Sequence, residues 1–156
     1  MSLVLVAVPM IFGQSSASEK ELKKDQLPKA VIAAFEKAFP NAKELEFEEA
    51  LFDGKTTYEV EYKKDGKEYE FLYSAEGVLI QKEEDIDVKT LPDPVIQAIL
   101  KAHPKAEIKE AEIKEAEKLI KPDGTVTGYE VGIKVAGKEL ELELDVNGKI
   151  LKTENE

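Results

Sequence analysis

The sequence predicts an α+β fold made of two tandem repeats, each a helix packed on an antiparallel β-sheet of three to four strands. Three observations carry this reading. Residues 58–73, YEVEYKKDGKEYEFLY, alternate with period 2 on both sides of Asp65-Gly66, the pattern of a hairpin with one apolar and one charged face. A Leu-Pro helix start, at Leu27-Pro28, recurs as Leu91-Pro92. The Tyr-Glu-Val strand start and the Gly turns recur as well: Tyr129-Glu130-Val131 follows Tyr58-Glu59-Val60, and Ala136-Gly137 follows Asp65-Gly66.

In order along the chain, residues 3–12 (LVLVAVPMIF) are too short to span a bilayer as a helix, but match the hydrophobic region of a secretory signal. Small residues Ser15 and Ala17 suit cleavage before Ser18, although no basic residue precedes the apolar run. Residues 1–17 are therefore assigned to an export signal and 18–26 to a polar N-terminal segment. No Cys follows that could carry lipid, so no stable membrane anchor is expected.

The first repeat is placed at 27–83. Pro28 suits a first helical turn, and Val31, Phe35, Ala38 and Phe39 form one stripe before Pro40 stops the helix. Leu45, Phe47 and Leu51 stand at strand spacing, Asp53-Gly54 is a turn, and the hairpin follows. Its two-residue loop pairs Tyr62 with Tyr69, Val60 with Phe71 and Tyr58 with Tyr73 on one face. Lys63 then meets Glu68, and Glu61 meets Glu70, on the other. After a turn at Ala75-Glu76-Gly77, Val78, Leu79 and Ile80 give a last short strand.

Residues 84–90 read as an acidic linker, and 91–153 as the second repeat. Extra residues around Lys121-Pro122-Asp123-Gly124 lengthen one of its loops. Residues 107–117 (EIKEAEIKEAE) are built from helix formers, yet Ala111, Ile113 and Leu119 fit one alternating face. The repeat requires a strand there, and a strand is expected.

The segments 27–42 (LPKAVIAAFEKAFPNA), 58–71 (YEVEYKKDGKEYEF), 91–106 (LPDPVIQAILKAHPKA) and 129–151 (YEVGIKVAGKELELELDVNGKIL) together resemble the PepSY-like family, also described as β-lactamase-inhibitor-like. The resemblance covers nearly the whole chain after the leader. It implies an exported, non-enzymatic module that binds or inhibits another protein, with no catalytic motif to transfer. The related inhibitor's disulfides have no counterpart here, because the chain has no Cys.

The composition is restrictive in its own right. The 156 residues carry a formal charge of −11, and all 22 basic residues are Lys. Without the guanidinium fork that grips phosphate, so acidic a chain is not a nucleic-acid binder. One His, no Arg and no Cys leave little for acid–base or nucleophilic chemistry, so no catalytic, cofactor-binding or metal-ligating residue is assigned. His103 takes the helix-end place of Phe39 and reads as structural. Glu83, Glu84, Asp85 and Asp87 lack the spacing of a calcium loop and read as linker.

Two surfaces merit weighing. The charged sheet face carries Glu59, Glu61, Lys63, Glu68, Glu70 and Leu72, then Glu130, Gly132, Lys134, Glu139, Glu141 and Glu143. A solvated face is the preferred reading. The like-charged pairs Glu61/Glu70 and Glu130/Glu143 could be relieved by a hard cation, or equally by neighbouring Lys. The tyrosines Tyr58, Tyr62, Tyr69 and Tyr73 are the candidate partner or ligand surface, with a core under the 28–39 helix as the preferred reading. The function expected is a non-catalytic, periplasmic or secreted binding or inhibitory module acting on an exported or envelope protein. The alternative is a periplasmic small-ligand or cation binder. Oligomeric state is not legible.

Overall fold

The structure, a computed structural model, describes residues 20–103 and 113–155. Nine strands follow in chain order: β1 (Lys20–Glu21), β2 (Leu45–Phe52), β3 (Lys55–Lys64), β4 (Lys67–Ser74), β5 (Leu79–Asp85), β6 (Ile113–Ile120), β7 (Val126–Val135), β8 (Lys138–Asp145) and β9 (Ile150–Asn155). Each pairs antiparallel with the next, so sheet order equals chain order. Two helices of ten residues, α1 (Lys29–Ala38) and α2 (Asp93–Ala102), interrupt the succession after β1 and after β5.

This corrects the α+β expectation of two helix-on-sheet units. The fold is mostly β, with one continuous nine-stranded sheet and two short helices. The reason lies in β5, expected as a short strand ending near Ile80. It runs on to Asp85, pairs with β4 on one side, and pairs with β6 on the other through Lys82↔Ile120, Glu83↔Leu119, Glu84↔Lys118 and Asp85↔Glu117. The amide of Ile86 adds a bond to the Ala116 carbonyl at 2.9 Å. Gln81-Lys82-Glu83-Glu84-Asp85 has low strand propensity, and Glu83 to Asp85 reads as linker, but the backbone of this segment satisfies two neighbouring strands at once. Of the strand expected at 107–117, residues 113–117 lie in β6; 107–112 fall outside the described residues, as does the expected export signal at 1–17.

The hairpin register is the one the alternation predicts, Tyr62↔Tyr69, Val60↔Phe71 and Tyr58↔Tyr73, with Glu61↔Glu70 on the other side. The loop closes because Asp65 and Gly66 both take positive φ, 54° and 78°, the twist that a two-residue loop requires. Ala136 and Gly137 do the same between β7 and β8, at 51° and 81°.

Register also fixes which way each row of side chains points. Tyr69, Glu84, Lys118, Tyr129 and Leu144 lie side by side across β4 to β8 on one face. Both helices pack on that face. Val31 and Phe35 of α1 bury against Val60, Tyr62, Phe71 and Tyr73. Val95 and Ile99 of α2 bury against Val131, Ile133, Leu142 and Leu144. The first cluster is aromatic: Phe35 meets Tyr62 and Phe71 edge-on at 6.2 and 5.7 Å between centroids. Between the clusters, the β5–β6 seam on this face is polar, with Glu84 held by Lys82 at 2.9 Å and Lys118 at 3.9 Å.

Each helix is also gripped by a sheet turn. A Cβ on Gly77, in the β4–β5 turn, would stand 2.4 Å from the Ala30 carbonyl oxygen of α1. One on Gly148, in the β8–β9 turn, would stand 2.2 Å from the carbonyl oxygen of Pro94. Gly66 has a φ like that of Gly77 but open space around it. Gly66→Ala should therefore cost about 1 kcal/mol of backbone strain. Gly77→Ala adds a backbone clash and should cost at least about 2 kcal/mol. Chemical denaturation of both variants checks this, and equal costs would show that the turn does not seat the helix.

Candidate functional site: a face of buried glutamates

The sheet face away from the helices was expected to be solvated, and at its centre it is not. Among the described residues six glutamates are buried: Glu59, Glu70, Glu83, Glu117, Glu130 and Glu141, each between 3% and 8% exposed. The pleat sends alternate residues of β3, β4, β7 and β8 to this face, as the sequence pattern indicates. The continuous sheet then adds β5 and β6 between the two hairpins. Two rows of carboxylates result. Glu46, Glu61, Glu70 and Glu83 stand opposite one another across β2 to β5, and Asp85, Glu117, Glu130 and Glu143 across β5 to β8.

Carboxyl oxygens of Glu70, Glu83 and Glu117 come within 4.8 Å of one another, as do those of Glu61, Glu68 and Glu70. Glu70 belongs to both groups. Lys63 serves the more open one, at 3.3 Å from both Glu61 and Glu68. Lys82 and Lys118 belong to the helix face of the sheet, where they hold Glu84. Gln81 donates to Glu83 Oε1 at 2.9 Å. Glu70 Oε1 is buried and meets no hydrogen-bond donor among the described residues.

The electrostatics follow from burial and crowding. Burial, then the charges of Glu59, Glu117 and Glu83 and a hydrogen bond with Glu59, hold the Glu70 carboxyl well above the ordinary carboxylate range. Burial, then Glu83 and Asp85, does the same to Glu117. Glu130 is raised by burial and then by Glu83, Glu141 and Glu117. Glu61 is pushed up to about 8 by burial, by its hydrogen bond with Glu68 and by the charges of Glu68 and Glu46, with Lys63 pulling the other way. Such a face can hold protons or a cation.

The tyrosines singled out from the sequence lie on the opposite face. Tyr62 and Tyr73 are buried in the α1 core, while Tyr58 and Tyr69 pack against it partly exposed. Tyr62 stacks on Tyr69 at 5.5 Å, and Lys82 Nζ lies 5.2 Å from the Tyr69 ring centroid. Burial pushes the Tyr73 hydroxyl up to about 12. Tyr62 also borders a groove of about 330 Å³ at the end of α1, shared with Phe39, Pro40, Lys43, Lys63 and Lys64. His103 caps the C-terminus of α2, its amide bonded to the Ile99 carbonyl. Glu83, Glu84 and Asp85, expected in or beside a linker, are strand residues. No helix among the described residues is long and apolar enough to cross a membrane.

The like-charged pairs were legible from alternation alone. The joining of Glu70 with Glu83 and Glu117 was not, because it depends on β5–β6 pairing, for which no local pattern exists.

Comparison with known proteins agrees with this architecture. Residues 56–152 match the family described as "Putative beta-lactamase-inhibitor-like, PepSY-like", and residues 28–76 match the "Peptidase propeptide and YPEB domain" (PepSY) family. Three crystal structures of Bacteroides proteins share the fold. One from B. eggerthii, described as "putative periplasmic proteins", has a TM-score of 0.61 at 14% identity, over 83% of this chain and 88% of that one. A DUF2874 family protein from B. uniformis has 0.57 at 16% identity, over 82% and 88%. A BLIP-like protein from B. fragilis has 0.53 at 21% identity, over 83% and 86%. No curated protein matches the sequence.

The raised carboxyls set the sign of a pH effect. In the unfolded chain such groups ionise near 4.5, and in the fold Glu61 ionises at about 8. Between those values the folded state binds more protons than the unfolded state, so stability falls as pH rises. Below the window both states are protonated and the penalty vanishes. Melting temperature in chelator should therefore drop from about pH 5 to about pH 8, and Glu61→Gln should flatten the upper part of the curve. A profile that rises with pH would contradict the burial of these carboxyls.

Proposed function

The chain belongs to the PepSY-like, beta-lactamase-inhibitor-like family, and on that basis we propose that it is a non-catalytic binding module that engages another exported or envelope protein. Family membership is the observation that carries this reading. The residue inventory supports it, since one His and no Cys or Arg leave little for acid–base or nucleophilic catalysis. Export to the periplasm or beyond is part of the proposal. It is supported by the apolar run at 3–12 and by the periplasmic description of the B. eggerthii protein.

The partner surface proposed is the aromatic end of the α1 core. Tyr62 and Tyr73 are buried in that core and Tyr58 and Tyr69 are partly exposed beside it, and the surface it offers is the groove bordered by Tyr62, Phe39 and Pro40. Aromatic rings with fixed rotamers make good anchors at low entropic cost. Lys43 and Lys64, both exposed on its rim, place positive charge on an otherwise acidic protein and would favour an acidic partner segment.

The test is capture from an envelope extract with the immobilised full chain, followed by reconstitution with the purified partner. A defined complex is expected, and the double variant Lys43→Glu, Lys64→Glu should slow association by about tenfold at low salt. Any inhibitory effect would be read on the partner's own activity. Failure to reconstitute a complex, or an association rate indifferent to the charge reversal, would overturn the proposal or move the surface elsewhere.

A further inference from the structure

We propose that Glu70, Glu83 and Glu117 form a binding site for a calcium-class divalent cation at the junction of β4, β5 and β6. The proposal does not rest on the binding-module reading and concerns the other face of the sheet.

Geometry comes first. The three carboxylates offer oxygens that lie within 4.8 Å of one another. Two oxygens on one calcium ion, each at about 2.4 Å, can be at most about 4.8 Å apart, and every pair among the three meets that bound. The residues come from three adjacent strands: Glu70 and Glu83 are direct cross-strand partners, and Glu117 sits two residues along β6, on the same face, from Leu119, the partner of Glu83.

An independent observation points into the same space. Glu70 Oε1 is buried with no donor among the described residues, on a side chain only 3% exposed. The same carboxyl shares a hydrogen bond with a further carboxyl, Glu59. A buried carboxylate oxygen without a donor is costly, and a metal ion satisfies it as well as a hydrogen bond would.

Three described lysines of the neighbouring strands are engaged elsewhere. Lys63 sits on the neighbouring group with Glu61 and Glu68, and Lys82 and Lys118 hold Glu84 on the helix face. That also decides between the two carboxylate groups, since the one beside Lys63 already has its cation.

Chemistry then narrows the ion. The donors are all carboxylate oxygen, which favours a hard cation over zinc or copper. Magnesium demands near-ideal octahedral geometry and sheds its waters reluctantly, whereas calcium tolerates irregular sets of carboxylates, mono- or bidentate. Bound there, the ion would tie β4, β5 and β6 together across the sheet's central seam.

The experiment uses the full chain, stripped with chelator and titrated with calcium chloride by calorimetry and by thermal melting. One calcium per chain and a rise in melting temperature are expected, beyond anything magnesium chloride gives at equal ionic strength. Glu70→Gln should abolish the calcium-dependent rise, while Glu61→Gln should keep it. Should Glu70→Gln not fold, Glu117→Gln provides the same test. Absence of calcium heat and shift, an equal shift with magnesium, or a calcium response that survives Glu70→Gln would each overturn the site. Partner capture in chelator is read separately, so one idea can fail without the other.

Discussion

The backbone pairing of Lys82 through Asp85 with Glu117 through Ile120 is the interaction on which the continuity of the sheet depends. Without it, β5 and β6 would each present an unpaired edge, an open template for association with other chains. With it, both helices lie on one face of one sheet and the six buried glutamates lie on the other. The two helix cores do not merge, because the seam between them is occupied by Glu84, Lys82 and Lys118. Each core is closed by its own helix, and the backbone joins what the side chains keep apart.

The two faces stand in an unequal balance. On the helix side, Val31, Val95, Ile99, Val131, Leu142 and Leu144 are completely excluded from water, and the aromatic cluster around Phe35 adds ring-edge contacts. Burial of this kind supplies the driving force for the fold. On the far side, carboxylates crowd together at the spacing that β pairing imposes. Their desolvation opposes folding unless each finds a proton, a donor or a cation. The apolar face thus sustains an arrangement that the polar face alone would not permit.

Much of this was legible in the sequence. Alternation in 58–73, with Asp65-Gly66 between its halves, specified the register of β3 and β4 residue by residue, because slipping one place would turn Tyr62 and Phe71 outward. Pro28 and Pro40 bracketed α1 to within a residue at each end. The motifs sufficed to identify the family. What could not be read was the fate of Gln81 to Asp85. Strand propensity reflects side-chain packing, and these side chains have little to pack; only pairing partners remote in sequence make the segment a strand. Reading Glu83 to Asp85 as linker hid both the single sheet and the meeting of Glu70, Glu83 and Glu117. The tyrosines were ambiguous for a different reason. Amphipathic rings serve cores and grooves alike, and the helix overhead decides how much of each is reachable.

The open hairpin tips have a practical consequence. Asp65-Gly66 and Ala136-Gly137 face open space at Gly66 and Gly137. Because strands alternate in direction through the sheet, both tips project from the same end of it. The chain contains no cysteine, so a thiol placed at each tip would be the only two in the molecule. A pair of dyes or spin labels there would span the β5–β6 seam and report, as a distance, whether the two halves of the sheet stay joined or part.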